Sequence, residues 1–190
     1  VGTRPVAVAG FGDPLRSDAP KTVKALTAAG WEVGILSGDH PKIVAAVGAT
    51  LGIPQERCRG ALSPEEKLKT VRQGLSGGPV VMVGDGVNDA AALAAASVGI
   101  GVHGGSEATL AAADVFFSKP GTLALLGLLA LSRSTLRRIR LNLGISLTYN
   151  VIAAALAAAG VISPLLAAIL MPLSSLGVIA NSYRGRLTWN

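Results

Sequence analysis

Pro79-Val80-Val81-Met82-Val83, followed at once by Gly84-Asp85-Gly86-Val87-Asn88-Asp89, is the stretch that decides the fold. The unbroken apolar run Val80–Val83 suits a strand buried on both faces, as in a parallel sheet. It stops at two glycines, two carboxylates and an amide within six residues. Gly-Asp is also ordinary turn chemistry. This density of hard oxygen donors nevertheless suits Mg2+, which takes one or two carboxylates together with phosphate and water.

The same strand-then-acid pattern recurs upstream. Residues 6–11 run into Gly12-Asp13, and residues 31–36 into Ser37-Gly38-Asp39. Helical stretches fall between them at 18–30, 40–52, 64–75 and 90–96, with Ser63 as N-cap and Pro64 at the first position of the third. Further apolar pieces at 98–102 and 114–117 read as strands. Strands alternating with helices predict an α/β fold, a Rossmann-like parallel sheet with flanking helices. The site then lies at the carboxyl ends of the strands. There Ser37 and neighbouring backbone N–H groups can hold a phosphate at a helix N-terminus. Lys67 reads either as a positive charge for a phosphoryl group or as a solvated helix lysine.

Charge divides the 190-residue chain. All 11 acidic residues lie at or before Asp114, and residues 1–114 net −1, whereas residues 115–190 carry seven Lys+Arg and no acid. The basic pI is thus a property of the tail, which argues against a basic nucleic-acid-binding face on a folded domain. Residues 141–183 hold no charge at all. At about 1.5 Å per residue that is roughly 64 Å of helix, enough for two spans. The break falls at Gly160-Val161-Ile162-Ser163-Pro164 and predicts spans near 139–159 and 163–183. Arg133, Arg137, Arg138 and Arg140 precede this hairpin and Arg184 and Arg186 follow it, which places both ends in the cytosol. The expected partition is residues 1–119 as a cytosolic domain, 120–138 as a basic linker helix, and 139–190 as a two-helix transmembrane hairpin with a short tail.

Polar groups inside spans are costly and tend to be functional. Tyr149 and Asn150 lie mid-span in the first helix. Met171, Ser174 and Ser175 share one face of the second. These read either as hydrogen-bonding glue between helices or as ligands, a thioether favouring a soft ion such as Cu(I). The lone Cys58 excludes an intramolecular disulfide framework. The start, Val1-Gly2-Thr3-Arg4-Pro5, reads as the interior of a longer protein.

Taken together, these motifs resemble the P-type ATPases, which share the haloacid dehalogenase-like fold. Gly84-Asp85-Gly86-Val87-Asn88-Asp89 is similar to their GDGxND hinge, Ser37-Gly38-Asp39 to their TGD element, Pro64-Glu65-Glu66-Lys67 to PxxK and Asp13-Pro14-Leu15-Arg16 to DxxR. The resemblance implies that Asp85 binds Mg2+ with Asp89 and Asn88, the Gly84 and Gly86 backbone beside them. It implies that Ser37, Gly38 and Asp39 address an aspartyl phosphate, which Lys67 neutralises. Tyr149-Asn150 and Met171-Pro172-Leu173-Ser174-Ser175 resemble the YN and MxxSS signatures of copper-transporting heavy-metal members; the Lys and Asp of zinc-type members are absent.

There are departures. His40 stands where Asn is usual, and Ala90-Ala91 where a Pro is common. Asp-Lys-Thr-Gly-Thr, which carries the nucleophile, the nucleotide-binding domain and Cys-Pro-Cys do not occur in the 190 residues. The resulting expectation is the C-terminal portion of an ATP-driven Cu(I) translocase in a bacterial plasma membrane, residues 1–138 and the C-terminus cytosolic. Its implied partners are an N-terminal portion, the bilayer and a copper chaperone, without nucleic acid. The competing expectation is a catalytically inactive membrane-anchored fragment or regulatory partner that keeps the fold. A membrane-anchored phosphatase would need an N-terminal DxD-type nucleophile, which is absent.

Overall fold

The computed structural model describes residues 14–163 apart from Gly86 and Ser106, and beyond them positions 165, 166, 172, 176 and 179. The chain divides into a unit over residues 1–126 and a second over residues 127–190.

In the first unit the alternation of strand and helix expected from sequence is present. The order is α1 (Ala19–Ala28), β1 (Ile35–Leu36), α2 (Pro41–Leu51), β2 (Cys58–Arg59), α3 (Pro64–Leu75), β3 (Val81–Gly84), α4 (Ala90–Ala95), β4 (Val98–Gly101), α5 (Glu107–Ala112) and β5 (Val115–Phe116). Every described strand pair is parallel. β1 pairs with β2, and β3, β4 and β5 follow one another in a second sheet. The strand expected at residues 6–11, with Asp13, lies outside the described residues.

Three details differ from the sequence reading. The strand expected over residues 31–36 is ordered as a strand only at Ile35–Leu36. β2 and α5 were not foreseen: Cys58-Arg59 lies in no apolar run, and the six residues of α5 show no helical period. Local chemistry was otherwise a good guide. Ser63 Oγ accepts from the Glu66 N–H (3.2 Å), and the Glu66 carboxylate accepts from the Ser63 N–H (2.8 Å), a capping box that starts α3 with Pro64 in its first turn.

The core lies under β3. Val71 of α3, Met82 of β3, and Ala92 and Leu93 of α4 form its centre, with Leu36, Val80, Ala95, Ala96 and Ala112 packed against them. Leu36 thereby joins β1 to the same core as β3. That shared core puts the strand ends bearing Ser37 and Asp85 in one packed structure.

The second unit contains most of α6, Leu123–Ala158, a helix of 36 residues. It runs through the expected boundary near residue 138. The linker helix and the first span are one uninterrupted helix, and Arg133, Arg137, Arg138 and Arg140 lie inside it. Arginine and leucine are good helix formers, and nothing between residues 132 and 142 breaks the helix. α6 is long and apolar enough to cross a membrane. Residues 141–158, after the last arginine, span about 27 Å at ~1.5 Å per residue, close to a hydrocarbon core. Leu141, Leu143, Ile145, Leu147, Val151 and Ile152 are all exposed.

The helix ends where the sequence predicted. The Gly160 N–H bonds the Ala157 carbonyl and the Val161 N–H the Leu156 carbonyl, with Gly160 in the left-handed region. This is a Schellman closure. The Ser163 hydroxyl then accepts from the Leu166 N–H (3.3 Å), the bond of a new N-cap. Positions 165, 166, 172, 176 and 179 are helical. The rest of the expected second span, with Met171, Ser174, Ser175 and the closing Arg184 and Arg186, lies outside the described residues.

Candidate functional site

Two loops at strand ends form the candidate site, one after β1 and one after β3. After β1 the chain turns through Ser37-Gly38-Asp39 into α2. The Ser37 hydroxyl donates to Asp39 Oδ2 (2.9 Å) and accepts from the Asp39 N–H (3.1 Å). His40, in place of an asparagine, caps α2: its Nδ1 accepts from the Lys42 N–H (3.3 Å). The Ser37 N–H itself is spent on the Arg59 carbonyl. For an incoming phosphate this leaves the amide of the exposed Gly38 free, whereas the Ser37 hydroxyl can donate only by giving up its bond to Asp39.

This loop is tied to α3 through the backbone. The Leu62 N–H bonds the Ser37 carbonyl (3.0 Å) and the Ala61 N–H bonds the Asp39 carbonyl (2.7 Å). Ala61 makes the second bond with φ at +54°, the one non-glycine residue with positive φ among the described residues. Such backbone is uncommon for an L residue and clusters at functional sites. Ser63, two residues on, starts α3, and Lys67 sits one turn into that helix.

Lys67 reaches the second loop. Its Nζ donates to Asp89 Oδ1 at 2.8 Å, and both side chains are nearly buried, 12% and 11% exposed. Of Lys67's two sequence readings, the solvated helix lysine therefore does not describe this structure. Asp89 closes the short turn Val87–Asp89 and precedes α4, yet it makes no side-chain cap to that helix. Its carboxylate turns to Lys67 instead. Among the described residues it is the one buried charged group.

Gly84 explains how Asp89 fits. A Cβ on Gly84 would stand 2.8 Å from Asp89 Cβ and 2.9 Å from its Oδ2. Gly84→Ala is thus expected to push Asp89 off Lys67 and to lower stability by about 2 kcal/mol, as overpacking does. Thermal unfolding beside the exposed neighbour variant Val83→Ala would check it; equal midpoints would refute the contact.

Asp85 and Asn88 are exposed beside this pair. No group of three or more His, Cys, Asp and Glu converges among the described residues. The donors present, one exposed carboxylate and one lysine-paired carboxylate, do not make a closed cage. They suit a hard divalent cation that keeps phosphate and water among its ligands. Gly86 lies outside the described residues.

On α6, Tyr149 is half-buried and Asn150 exposed. The Tyr149 hydroxyl is buried with no hydrogen-bond partner among the described residues. Buried hydroxyls are nearly always satisfied, so this one calls for a physical account.

Sequence reasoning missed the contribution of Asp18, Thr22 and Thr122. Asp18 Oδ2 accepts from the Thr122 N–H (2.5 Å) and the Leu123 N–H (3.1 Å), and the Thr122 hydroxyl donates to Thr22 (2.8 Å). The only available signal was the spacing of Asp18 and Thr22, i and i+4 on one helix face.

Comparison with known proteins bears on the fold. The family described as haloacid dehalogenase-like hydrolase matches residues 1–97. A probable copper-exporting P-type ATPase V of Mycobacterium tuberculosis is 37% identical over 182 residues, 95% of this chain and 23% of that protein. A manganese-exporting P-type ATPase of Mycobacterium leprae is 41% identical over 175 residues, 90% of this chain and 24% of that protein. The crystal structure of a zinc-transporting PIB-type ATPase in its E2.Pi state superimposes with a TM-score of 0.86 at 34% identity, over 90% of this chain and 28% of that one. The chain spans about a quarter of the length of the relatives it matches. With its parallel strands, flanking helices and matched segment, the chain belongs to the haloacid dehalogenase-like hydrolases.

Proposed function

We propose that the chain is the C-terminal portion of an ATP-driven, Cu(I)-translocating P-type ATPase. The observation that carries the phosphoryl-transfer half is the nearly buried Lys67–Asp89 pair at the end of β3, joined through α3 and Leu62 to the Ser37 loop. Likeness to metal-transporting P-type ATPases along nine-tenths of the chain supports the same reading.

In this reading Asp85 holds Mg2+, assisted by Asp89 and Asn88 with the Gly84 and Gly86 backbone close by. Mg2+ held there would supply positive charge against the transferred phosphoryl group. Gly38 donates its amide to the phosphate, and Ser37 donates its hydroxyl once that proton turns from the Asp39 carboxylate, the Asp39 N–H still holding the hydroxyl oxygen in place. Lys67 brings a fixed positive charge on a helix start that cannot drift, because a capping box holds it. Positioning and charge neutralisation carry such catalysis, with little covalent work for these residues. The nucleophilic aspartate and the ATP-binding domain would belong to an N-terminal portion.

The named relatives transport different metals, so the ion is read from the membrane helices. Tyr149, Asn150, Met171, Ser174 and Ser175 are proposed to line the path. A buried Tyr149 hydroxyl with no hydrogen-bond partner among the described residues supports a ligand on that face of α6. Met171 adds the soft donor that Cu(I) favours. The bilayer is then the surroundings of α6, the plasma membrane of a bacterium its location, and a cytosolic copper chaperone a partner.

In-frame sequence upstream of Val1 should encode Asp-Lys-Thr-Gly-Thr and Cys-Pro-Cys. A stop codon followed by a start near Val1 would instead favour an inactive, membrane-anchored regulatory partner. In the protein with both motifs, Met171→Ala should lower Cu(I)-stimulated ATP hydrolysis by at least ~10-fold, a loss that even outer-shell changes at metal sites reach. Undiminished stimulation would remove copper from the reading and leave phosphoryl transfer standing.

A further inference from the structure

The start of α6 is held by residues that lie a hundred positions earlier. Asp18 Oδ2 takes the Leu123 N–H, the first amide of the helix, and the Thr122 N–H just before it. Thr22, one turn further along α1, receives the Thr122 hydroxyl. Thr122 is therefore gripped twice, through its backbone by Asp18 and through its side chain by Thr22.

Both grips involve groups that are otherwise hard to place. Thr22 is 3% exposed, the only buried uncharged polar residue among those described. Its partner is Thr122. The helix itself carries no acidic residue in its first turn, and no acid follows Asp114 in the chain. The positive end of a 36-residue helix dipole thus meets a carboxylate only by reaching back to α1. The Thr122 N–H, foremost among several hydrogen bonds, holds the Asp18 carboxyl below its ordinary range. The approach is close enough to dictate the preceding residue: Gly121 has φ at +118°, and a Cβ there would stand 3.0 Å from Asp18 Oδ2.

Between Phe117, bonded to the Gly101 carbonyl, and Leu123 the chain has no regular structure. Lys119-Pro120-Gly121 would let the helix start move freely against the sheet were nothing else attached. We propose that Asp18 and Thr22 form a clasp on Thr122 that fixes the first turn of α6 to α1, so that any displacement of α1 carries the start of α6 with it. Asp18 and Thr22 are positioning residues in this role. The clasp lies wholly within residues 18–123 and holds whichever ion the protein carries.

The test uses the full 190-residue chain in lipid nanodiscs. Amide hydrogen exchange at Thr122 and Leu123 should be roughly fivefold to tenfold faster in Asp18→Ala, the loss of one N-cap, with Asp18→Asn close to the parent because its amide oxygen still accepts. A cap alone would give that result too, so a second readout is needed. Spin labels at the exposed positions Lys69→Cys and Ala124→Cys, in a Cys58→Ala background, report the distance from α3 to the first turn of α6. The clasp predicts a broadened distance distribution in Asp18→Ala and an intermediate one in Thr22→Val, which removes only the side-chain grip. Thr22→Val also serves if Asp18→Ala fails to fold. An unchanged distribution in the folded variants would overturn the inference, whatever the exchange rates do.

Discussion

Lys67→Met is expected to cost the α/β unit about 3 kcal/mol, because removing one partner of a buried pair strands the other charge. Lys67 and Asp89 are 12% and 11% exposed and 2.8 Å apart. Asp89 has no second cation within the described structure, and Gly84 presses against its other face. It cannot swing to water without opening the turn at Val87–Asp89. The double variant Lys67→Met, Asp89→Leu should recover most of the loss, since a well-packed apolar replacement often matches a buried ion pair. Thermal or denaturant unfolding of the full chain reads both variants. A single-variant cost below about 0.5 kcal/mol would mean an ordinary surface pair. The site reading would then lose its central feature.

Leu93→Ala is the second large effect, at about 4 kcal/mol. Leu93 is fully buried in the cluster with Val71, Met82 and Ala92. Leu-to-Ala changes in cores cost about 2–5 kcal/mol, and the cost grows with the cavity that remains. Here α4 cannot move in to fill it. The Leu93 carbonyl already lies 2.7 Å from where a Cβ on Gly99 would be, so helix backbone and β4 are in contact. Ile100→Val, at a site 1% exposed on β4, removes a single methyl group and should cost about 1 kcal/mol. Equal costs for the two variants would show that α4 does collapse onto the sheet.

The parts of the fold legible in the sequence are those with a local cause. Val80–Val83 read as a strand, though Met82 is buried and Val83 is 42% exposed rather than both faces being covered, and Ser63-Pro64 with Glu66 could only start a helix. Gly160 ended one. The residues proposed for the chemistry, Ser37, Gly38, Asp39, Lys67, Asp85 and Asp89, stand out in the sequence for the same reason: each sits at a strand end or a helix start that its neighbours announce. Less legible were β2, whose Cys58-Arg59 lies in no apolar run, α5, and the continuity of α6. There the arginines suggested a boundary, but helix propensity ignores charge and runs through it.

What the sequence determined alone was composition along the chain: an acid-bearing α/β segment, then an acid-free helical one, in that order. Side-chain period and turn chemistry act over a few residues, so they survive in any isolated stretch. Only the tertiary structure decided that Lys67 is a buried partner of Asp89 rather than a solvated lysine. It decided too that Asp89 forgoes its own helix cap, and that Asp18 caps a helix 104 residues away. Each of these is a choice between water and one distant group. Such a choice is settled by which elements pack together and exclude solvent, and no local pattern encodes it.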